Sequence, residues 1–422
     1  MAADPLRHTM IEMGRSARAA ARHLAGFGRA RKDAVLAAMQ QRLAAARAAI
    51  QVANEEDVAT AMQAVKSPAL IDRLRLDQPR FQGMLGTLDQ ISGLADPVGT
   101  VCAQWTRPNG LLIEKRRVPI GVIAVIYESR PNVTLDAAAL CFKSGNAVIL
   151  RGGSDSLRTS LAIHACLADA LRDCGVTTAA VQLVATADRE AVAHLLQGLD
   201  GAIDVLIPRG GLDLVERVQR EARVPVLGHL RGNCHVYVDA AADSAKADAI
   251  VVNSKLRRTG VCGAAETLLI DDAVADKPAR SLIRTLLDGG CEVRGDAAVR
   301  RLDPRVVAAT EDDWRSEYLA PVIAAARVSG VGGAIAHIAQ FGSGHTESIV
   351  TEDAATAERF LTEVDSAIVL HNASTQFADG GEFGMGGEIG ISTGRLHARG
   401  PVGLEELTTY KYVVRGSGQT RA

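Results

Sequence analysis

Apolar positions recur at helical spacing along the N-terminal part of the chain, to about residue 95, with charged residues between them. Ala34–Leu36, Leu43 and Ile50 are examples, and a period near 3.6 places such residues on one face of a helix. Asn54, followed by the acidic run Glu55–Asp57, indicates a helix start, because carboxylates are favoured at the positive end of the helix dipole. This region is predicted to be helical.

From about residue 118 the pattern changes to short apolar runs separated by helix-like stretches. The runs predict strands at Ile120–Tyr127, Ala147–Leu150, Val181–Val184, Asp204–Ile207, Val224–Leu227, His235–Val238, Glu266–Ile270, Pro321–Ala324, Ser348–Val350 and Ala367–Leu370. Apolar strands that alternate with helices indicate a parallel sheet covered on both faces. Because the alternation restarts near Ala240, we expect two successive α/β domains.

Length and composition agree with this picture. A chain of 422 residues, 47% of them hydrophobic, is long enough for two or three domains with real cores. Many alanines and few aromatic residues suit helices packed closely on a sheet. The formal net charge is −2 and both signs are spread along the chain, so neither nucleic acid nor a membrane is an expected partner.

The sequence also favours a cytoplasmic location. The N-terminus carries Arg and His among alanines but no long apolar core, so no secretory signal is expected. No uncharged apolar run reaches membrane-spanning length. The seven cysteines include no CxxC pair and show no regular spacing, which argues against a disulfide framework or a zinc ribbon.

The segment Asn253–Ala264 has the most informative chemistry. A basic stretch ends at Gly260, and Cys262 then lies between small residues, directly before a predicted strand. Nearby arginine would stabilise a thiolate, which is the nucleophilic form of cysteine. Spacing alone leaves two alternatives open for Cys262, a catalytic nucleophile and an ordinary buried thiol.

Three glycine-rich segments follow, Gly342–Glu347, Gly380–Glu388 and Ser392–Pro401. Glycine permits positive φ and close approach of the backbone to a ligand, although ordinary loops have the same composition. In the last segment Arg395 and Arg399 flank a histidine, and such a group can receive an anionic substrate. The alternative is a solvated surface.

Arg151–Ser154 follows a predicted strand and precedes a helix. A strand-to-helix corner with glycines is suited to a phosphate or a ribose. Neither a GxGxxG fingerprint nor a Walker loop is present, so by itself this corner is a weak signal.

The sequence from about residue 10 to 415 resembles the γ-glutamyl phosphate reductases, a branch of the aldehyde dehydrogenase superfamily. The motifs that carry the resemblance are Val328–Ala334, His337–Ile338, Gly342–Ser343, His345–Ile349, Leu396–Glu405 and Leu407–Lys411. One departure is Phe341, where the family usually has His or Tyr. This leaves any role of a polar atom on that ring in doubt.

The resemblance implies an α/β fold with two parallel-sheet, Rossmann-type domains and a small oligomerisation arm. We expect residues 1–239 to form the cofactor-binding domain, with the arm contributed near 110–120. Residues 240–385 would form the catalytic domain, and 386–422 would return to the cofactor domain. Superfamily members commonly associate by strand exchange, so a homo-oligomer is expected, with Tyr410–Arg415 as the candidate edge strand.

The family's reaction converts NADPH and L-glutamyl 5-phosphate to L-glutamate 5-semialdehyde, phosphate and NADP, the second step of proline synthesis from glutamate. Cys262 matches the nucleophile, and Asn132 matches an asparagine that donates to the oxyanion. The proposed substrate-binding residues are Arg258 and Arg399, and which of them would bind the phosphate and which the α-carboxylate stays open. A glutamate 5-kinase is the implied protein partner, and no metal is expected.

The implied cofactor-binding residues are Arg151, Gly152, Ser154, Gly210, Gly211 and Glu317. Glu317 resembles the glutamate that binds the nicotinamide ribose, and Arg151 replaces a lysine at the adenosine ribose. NAD-preferring members often carry a glutamate where this chain has Ser154. A carboxylate would repel a 2′-phosphate, so Ser154 beside Arg151 favours NADPH.

Ordinary aldehyde dehydrogenases carry a glutamate base where this chain reads His229–Gly232. An enzyme that hydrolyses its thioester needs a base to activate water, whereas one that exchanges phosphate and hydride does not. The missing carboxylate therefore favours acyl-phosphate chemistry.

Three alternatives are weaker. An acyl-CoA reductase of the same superfamily is disfavoured by the Leu396–Glu405 motif. A zinc protein using His229, Cys234 and His235 is disfavoured because adjacent residues point to opposite faces of a strand. An inactive interaction protein on this fold is disfavoured because Cys262 and Asn132 are intact.

Overall fold

Two structural units make up residues 4–421, which are the residues described by the computed structural model of the chain. The first runs up to Gly228 and also includes Gly384–Gly390 and the chain from Val402 onward. The second comprises His229–Phe383 and Ile391–Pro401. Residues 1–3 and 422 of the expected domain ranges lie outside the described part of the chain.

The elements are named in chain order. The helices are α1 (Pro5–Leu24), α2 (Arg29–Ala45), α3 (Arg47–Gln63), α4 (Pro68–Leu74), α5 (Gln78–Gly93), α6 (Val133–Lys143), α7 (Leu157–Asp173), α8 (Glu190–Leu196), α9 (Leu212–Glu221), α10 (Ser244–Leu256), α11 (Asp276–Asp288), α12 (Ala297–Arg300), α13 (Gly330–Phe341) and α14 (Ala354–Glu363). The strands are β1 (Val101–Thr106), β2 (Leu112–Pro119), β3 (Val122–Tyr127), β4 (Ala147–Arg151), β5 (Val181–Leu183), β6 (Val205–Arg209), β7 (Cys234–Val238), β8 (Ala265–Asp271), β9 (Glu292–Gly295), β10 (Val307–Ala308), β11 (Val322–Val328), β12 (Thr346–Val350), β13 (Ile368–His371), β14 (Ile391–Ser392), β15 (Gly400–Pro401) and β16 (Thr408–Arg415).

The predicted helical start of the chain is confirmed by α1 to α5, but the predicted helix start at Asn54 is wrong. Asn54 lies inside α3 and is buried. Its amide oxygen accepts from the backbone N–H of Leu76 at 2.7 Å, and its amide nitrogen donates to the carbonyl of Leu74. Asp57 likewise accepts from the backbone N–H of Thr159. These side chains do not start a helix of their own: Asn54 joins α3 to the end of α4 and the residues after it, and Asp57 joins α3 to the first turn of α7.

The first unit contains a parallel sheet of four strands in the order β5-β4-β3-β6. Every residue of β3 and β4 is buried, as expected for strands covered on both faces. The predicted strand Val224–Leu227 forms only an isolated bridge, between Leu206 and Val226.

A separate antiparallel sheet in the first unit has the order β1-β2-β16. β16 pairs with β2 from Thr408 opposite Pro119 to Arg415 opposite Leu112. Among the described residues its other edge is unpaired, which confirms the predicted edge strand. Tyr410, Tyr412 and Val414 of β16 are exposed.

The second unit is built on seven parallel strands in the order β10-β9-β11-β8-β7-β12-β13. Two parallel sheets therefore confirm the predicted fold class. The units divide at Gly228, whereas the prediction placed the division after residue 239. The physical reason is strand pairing, since β7 lies between β8 and β12 and belongs to the second sheet.

This strand order brings distant loops together. The loops that precede β7, β8 and β12 all lie at the amino edge of the sheet, because parallel strands start at the same edge. His229 lies in the first loop, Cys262 in the second and His345 in the third. In the described part of the chain, no helix combines the length and apolar character needed to cross a bilayer.

Candidate active site

The amino edge of the second sheet brings His229, Cys262 and His345 together. One ligand atom from each side chain lies within 4.8 Å of those of the other two. Cys262 and His229 are partly exposed, whereas His345 is fully buried. The two imidazole rings meet edge to face, with centroids 4.7 Å apart and planes at 80°. A thiol between two imidazoles is an arrangement suited to a nucleophile.

His229 has a fixed orientation. Its Nδ1 lies 2.8 Å from the backbone carbonyl oxygen of Ile391 in β14. A carbonyl only accepts, so Nδ1 carries a proton and donates it. Nε2 is then the nitrogen that can exchange a proton with Cys262 or with a substrate.

His345 is also held at Nδ1. Its Nδ1 lies 2.8 Å from Oγ1 of Thr346 and 3.6 Å from Sγ of Cys234. Its Nε2 is buried and has no hydrogen-bond partner among the described residues. A buried nitrogen without a partner is costly, which is typical of a group that acts on a substrate or ligand.

These histidines lower the pKa of Cys262, the expected nucleophile. Burial raises the pKa of the Cys262 thiol, but the positive charge of His345 and a hydrogen bond with His229 outweigh that effect. The result is a pKa of Cys262 well below the ordinary thiol value, which favours the nucleophilic thiolate form. The sequence analysis expected arginine to lower this pKa, but its main determinants are histidines.

The backbone at Cys262 is tightly enclosed. Cys234 donates its S–H to the carbonyl oxygen of Cys262 at 3.1 Å. Burial raises the pKa of Cys234 well above its ordinary value, so that thiol stays protonated and remains a donor. On the other side, a Cβ placed on Gly232 would overlap the carbonyl of Cys262. Only glycine fits at position 232 without moving the backbone of Cys262.

Glu317, the expected ribose ligand, interacts electrostatically with Cys262, His229 and His345. Burial raises the pKa of its carboxyl, the N–H of Gly232 opposes this by hydrogen bonding, and the negative Cys262 raises the pKa further. The following loop is anchored because the Leu319 N–H donates to Oε1 of Glu266 at 3.2 Å. Glu266 is itself buried in an ion pair with Lys255.

The two expected substrate arginines differ. Arg258 is exposed, and its side chain has no ion pair within residues 4–421. Arg399 pairs with Asp365 through Nη1 at 2.5 Å, and its Nη2 donates to the Asp365 carbonyl at 3.0 Å. Arg395 also pairs with Asp365. A Cβ on Gly344 would lie 3.9 Å from Nη2 of Arg399, so Arg399 adjoins the loop that carries His345.

The departure at Phe341 has a packing consequence. The ring lies 4.7 Å from the ring of His337, and the guanidinium of Arg315 lies 4.8 Å from its centroid. The Phe341 carbonyl accepts from the amide of Asn233 at 2.9 Å. The aromatic ring thus packs at the base of the loop before β7 without contributing a polar atom.

Asn132 lies in the first unit, directly before α6. Its Nδ2 donates to Oδ2 of Asp136 at 2.8 Å. Burial raises the pKa of Asp136 to about 6, opposed by this hydrogen bond and by the positive charge of Arg209. One N–H of the Asn132 amide is thereby held in place, and the other is available to a ligand.

The expected adenosine-ribose residues meet at the end of β4. Arg151 is buried and donates to the carbonyls of Gly152 at 2.6 Å and Ala187 at 3.2 Å. Ser154 is exposed at the start of a 3₁₀ turn. Arg151 Nε and Asp155 Oδ1 are buried and lack partners in the described structure. Ribose hydroxyls both donate and accept, so the residues present fit that part of a nicotinamide cofactor.

Gly210 and Gly211 form the turn between β6 and α9. The N–H of Gly211 donates to Oε2 of Glu128 at 2.9 Å. A carboxylate therefore occupies the amino end of α9, where the helix dipole favours a negative group. An incoming pyrophosphate would compete with Glu128 for this position.

The sequence analysis missed both histidines of the site. His229 was interpreted as the loss of a glutamate base and as a ligand in the disfavoured zinc alternative, and His345 only as part of a motif. Two features of the sequence could have pointed to these histidines. One is the histidine at position 229 itself, and the other is the histidine of the motif directly before β12. Neither signal specifies contact with Cys262 unless the strand order is known.

Comparison with known proteins agrees with this description. A model of the aldehyde dehydrogenase family matches residues 8–288 and 283–413. Over 412 residues the chain is 59% identical to γ-glutamyl phosphate reductase of Parvibaculum lavamentivorans, covering 98% of this chain and 97% of the relative. The enzyme of the same name from Caulobacter vibrioides is 58% identical over 412 residues, with 98% and 100% coverage.

Solved structures give the same result. The crystal structure of γ-glutamyl phosphate reductase from Thermotoga maritima matches with a TM-score of 0.95 at 43% identity, covering 98% of this chain and 100% of that one. An acetylating aldehyde dehydrogenase from Geobacillus thermoglucosidasius shares the fold, with a TM-score of 0.68 at 16% identity and 99% and 98% coverage. The chain therefore belongs to the γ-glutamyl phosphate reductases of the aldehyde dehydrogenase family.

Proposed function

We propose that this chain reduces L-glutamyl 5-phosphate to L-glutamate 5-semialdehyde with NADPH, releasing phosphate, as the second step of proline biosynthesis from glutamate. The observation that carries the proposal is the low pKa of Cys262 between His229 and His345. A thiolate at neutral pH is the form needed to attack an acyl phosphate. The names of the relatives supply the substrate.

In the first step the Cys262 thiolate attacks the acyl carbon, and the bond from that carbon to the phosphate oxygen breaks. The leaving group departs as hydrogen phosphate, because it takes one proton from Nε2 of His229. His229 is suited to this role, since Nδ1 is fixed on Ile391 and the ring is partly exposed, so solvent can return the proton. The product of the step is a γ-glutamyl thioester on Cys262.

Asn132 and the backbone N–H of Cys262 are the proposed donors to the oxyanion. One such donor contributes on the order of 3 kcal/mol to transition-state stabilisation. A nicotinamide cofactor, when bound, would supply a hydride to the thioester carbon. The thiohemiacetal on Cys262 then collapses, releases the semialdehyde and restores the thiolate, which His345 stabilises.

Glu317, Arg151, Gly152, Ser154, Gly210 and Gly211 are the proposed cofactor ligands. The preference for NADPH rests on charge, because Ser154 is exposed where a carboxylate would repel a 2′-phosphate. Asp155 lies one residue further on, and Ser129 donates to it. The positive group nearest in sequence is Arg151.

Arg399 and Arg258 are the proposed anion-binding residues. Arg399 adjoins the His345 loop, and a guanidinium matches a carboxylate or phosphate in a two-point contact. Its present partner Asp365 is exposed and can be exchanged for substrate at little cost. Arg258, which has no ion pair within the described residues, is the second candidate.

We also propose a cytoplasmic homo-oligomer that receives its substrate from a glutamate 5-kinase. All seven cysteines are free thiols, which fits a reducing compartment. β16 offers an unpaired edge within the described chain and exposed Tyr410, Tyr412 and Val414, and such an edge favours pairing with another chain. The kinase is proposed because its product is this substrate.

The test is the reverse reaction. Glutamate semialdehyde and NADP should give cofactor reduction that depends on phosphate, with NAD much less effective. Coenzyme A should not replace phosphate. Cofactor reduction that does not depend on phosphate, or that requires coenzyme A, would refute the proposed activity.

A further inference from the structure

Glu266 connects two segments of the second unit that carry proposed active-site residues. It is the second residue of β8, shortly after Cys262 in the chain, and its side chain is fully buried. Both carboxylate oxygens have a partner, since Oε2 pairs with Nζ of Lys255 and Oε1 accepts from the backbone N–H of Leu319 at 3.2 Å. One buried carboxylate therefore contacts the end of α10 and the segment Glu317–Leu319.

The ion pair of Glu266 with Lys255 closes the segment that carries the proposed nucleophile. Lys255 lies in the last turn of α10 and Glu266 at the start of β8, so the pair joins the two ends of residues 256–265, which contain Cys262. Both side chains are fully buried. A buried charge that loses its partner is strongly destabilising, so the pair sets the separation between these two ends.

The hydrogen bond to Leu319 fixes a strained backbone position. Leu319 has a φ of 52°, in the left-handed region that residues with a Cβ disfavour. Its side chain is 45% exposed, so burial of that side chain contributes little to holding the conformation. The bond from its N–H to a buried carboxylate is charge-assisted and opposes the strain.

The two residues before Leu319 are fixed by other elements. The Tyr318 hydroxyl donates to Oδ1 of Asp313 at 2.8 Å, and the carboxylate of Glu317 accepts from the N–H of Gly232. Three successive residues thus have three different anchors. The direction in which the Glu317 carboxylate points depends on the backbone of this segment, and the bond at Leu319 anchors its carboxyl end.

The ionisation of Glu266 depends on the same two contacts. Burial raises the pKa of its carboxyl to about 7, and the positive charge of Lys255, with hydrogen bonds from Lys255 and from the Leu319 N–H, acts against that rise. The nearby Glu317 carboxylate raises the pKa further. Both contacts therefore favour the charged form, which is the better acceptor.

We propose that Glu266 is a positioning residue, which fixes the Glu317–Leu319 segment relative to the Cys262 segment through its bonds to Lys255 and to the Leu319 N–H. This role rests on the proposed function, in which Glu317 binds the nicotinamide ribose and Cys262 carries the acyl group. Reacting atoms must come within about 3.5 Å of each other, and Glu266 links the two segments that set this distance for hydride transfer.

The test compares two neutral replacements of the buried pair. Lys255→Met with Glu266→Gln removes both charges but keeps an acceptor for the Leu319 N–H, whereas Lys255→Met with Glu266→Leu also removes the acceptor. Replacing both members of the pair avoids an unpaired buried charge. Calorimetry measures the binding of NADPH and of adenosine 2′,5′-bisphosphate, which lacks the nicotinamide ribose, and thermal unfolding checks that both variants are folded.

We expect the variant with Leu at position 266 to bind NADPH roughly 2- to 10-fold more weakly than the variant with Gln, the factor that one hydrogen bond usually supplies. Both should bind the adenosine bisphosphate equally. In the background of Glu317→Ala, the same exchange at position 266 should not lower NADPH affinity further, because Glu266 acts through Glu317. A purely structural role would lower the affinity equally in both backgrounds.

A second comparison leaves the buried pair intact. Leu319→Val and Leu319→Asn change an exposed side chain at the left-handed position. A β-branched residue disfavours that conformation, whereas asparagine tolerates it. Leu319→Val should therefore bind NADPH more weakly than Leu319→Asn, with equal affinity of the two variants for the adenosine bisphosphate.

Equal NADPH affinity of the two pair variants would overturn the inference, and so would a matching loss of affinity for the adenosine bisphosphate. If either pair variant fails to fold, the Leu319 variants decide, and equal NADPH affinity of those two overturns it. Binding does not use the acyl substrate, so intact NADPH binding without phosphate-dependent turnover would refute the proposed activity alone. Intact wild-type turnover with equal affinities of the variants would refute only the role of Glu266.

Discussion

His229 donates a 2.8 Å hydrogen bond from Nδ1 to the backbone carbonyl of Ile391. The bond joins the loop before β7 to a short strand more than a hundred positions later in the same unit. It fixes the ring so that Nε2 is the nitrogen available for proton transfer. The proposed mechanism uses that proton once per turnover, when phosphate leaves.

Replacing His229 with Gln should separate the two halves of the reverse reaction. Hydride transfer from the thiohemiacetal needs no proton from position 229, so the first turnover should still produce a burst of reduced cofactor. Attack of hydrogen phosphate on the thioester returns to Nε2 of His229 the proton that the forward step takes from it, so without the imidazole steady-state turnover should fall by roughly 10²- to 10⁴-fold. Stopped-flow absorbance measures both phases. His23→Gln, which changes an exposed imidazole of α1, is the control. An equal loss of burst and steady-state rate in His229→Gln would contradict the role of His229 in proton transfer to phosphate.

His345→Gln should change the ionisation of the nucleophile. His345 provides the largest interaction that lowers the pKa of Cys262. Without it the thiol should titrate closer to the ordinary value of about 8.5. The rate of alkylation by iodoacetamide, measured against pH, should then be suppressed at neutral pH and recover at alkaline pH. A wild-type profile in the variant would show that His345 does not stabilise the thiolate.

Gly232→Ala should inactivate the protein without unfolding it. The added Cβ would overlap the carbonyl of Cys262, so the nucleophile must shift, and small displacements of reacting groups cost about 10²-fold in rate. Gly260→Ala is a matched control, because nothing lies within 4 Å of its Cβ position. Turnover and thermal unfolding of both variants decide the matter, and normal turnover in Gly232→Ala would show that the close approach is unimportant.

Asp136→Asn should make the protein more stable at high pH. Folding raises the pKa of this acid from 3.8 to about 6, so the folded state favours the protonated form. The resulting contribution of Asp136 to the free energy of unfolding is fully present below pH 3.8 and is lost as pH rises through 6. An amide at position 136 cannot ionise, so the variant avoids this loss of stability. The loss is about 2 kcal/mol after allowance for the partial exposure of the Asp136 side chain.

The measurement for Asp136→Asn is the midpoint of thermal unfolding between pH 5 and 8. The variant should gain on the wild type as pH rises, while the exposed Asp213→Asn control should not. A constant difference between variant and wild type across this range would show that Asp136 does not titrate there.

The sequence predicted the fold class well, because the period of the apolar pattern and the length of each apolar run indicate which faces of a strand are buried. It could not report which sheet a strand joins. β7 was therefore assigned to the first domain, although its partners β8 and β12 lie in the second. The helix start at Asn54 failed for a related reason, since its amide bonds are made to a distant loop.

The candidate site shows the same limit. Motif resemblance identified Cys262, Asn132 and Glu317, whose roles stay predictions. His345 and His229 reach Cys262 only because β12, β7 and β8 are neighbours in the sheet, although β12 is distant from β7 in sequence. Contacts that depend on a crossover between non-consecutive strands are not encoded in local spacing.

The most direct test of the central claim is to trap the acyl group on Cys262. The protein is mixed with glutamate semialdehyde and NADP without phosphate, quenched in acid and digested. The account predicts a glutamyl adduct on the peptide that contains Cys262, which disappears when phosphate is added before the quench and is absent from Cys262→Ala. An adduct on another residue, or turnover in Cys262→Ala, would contradict the account.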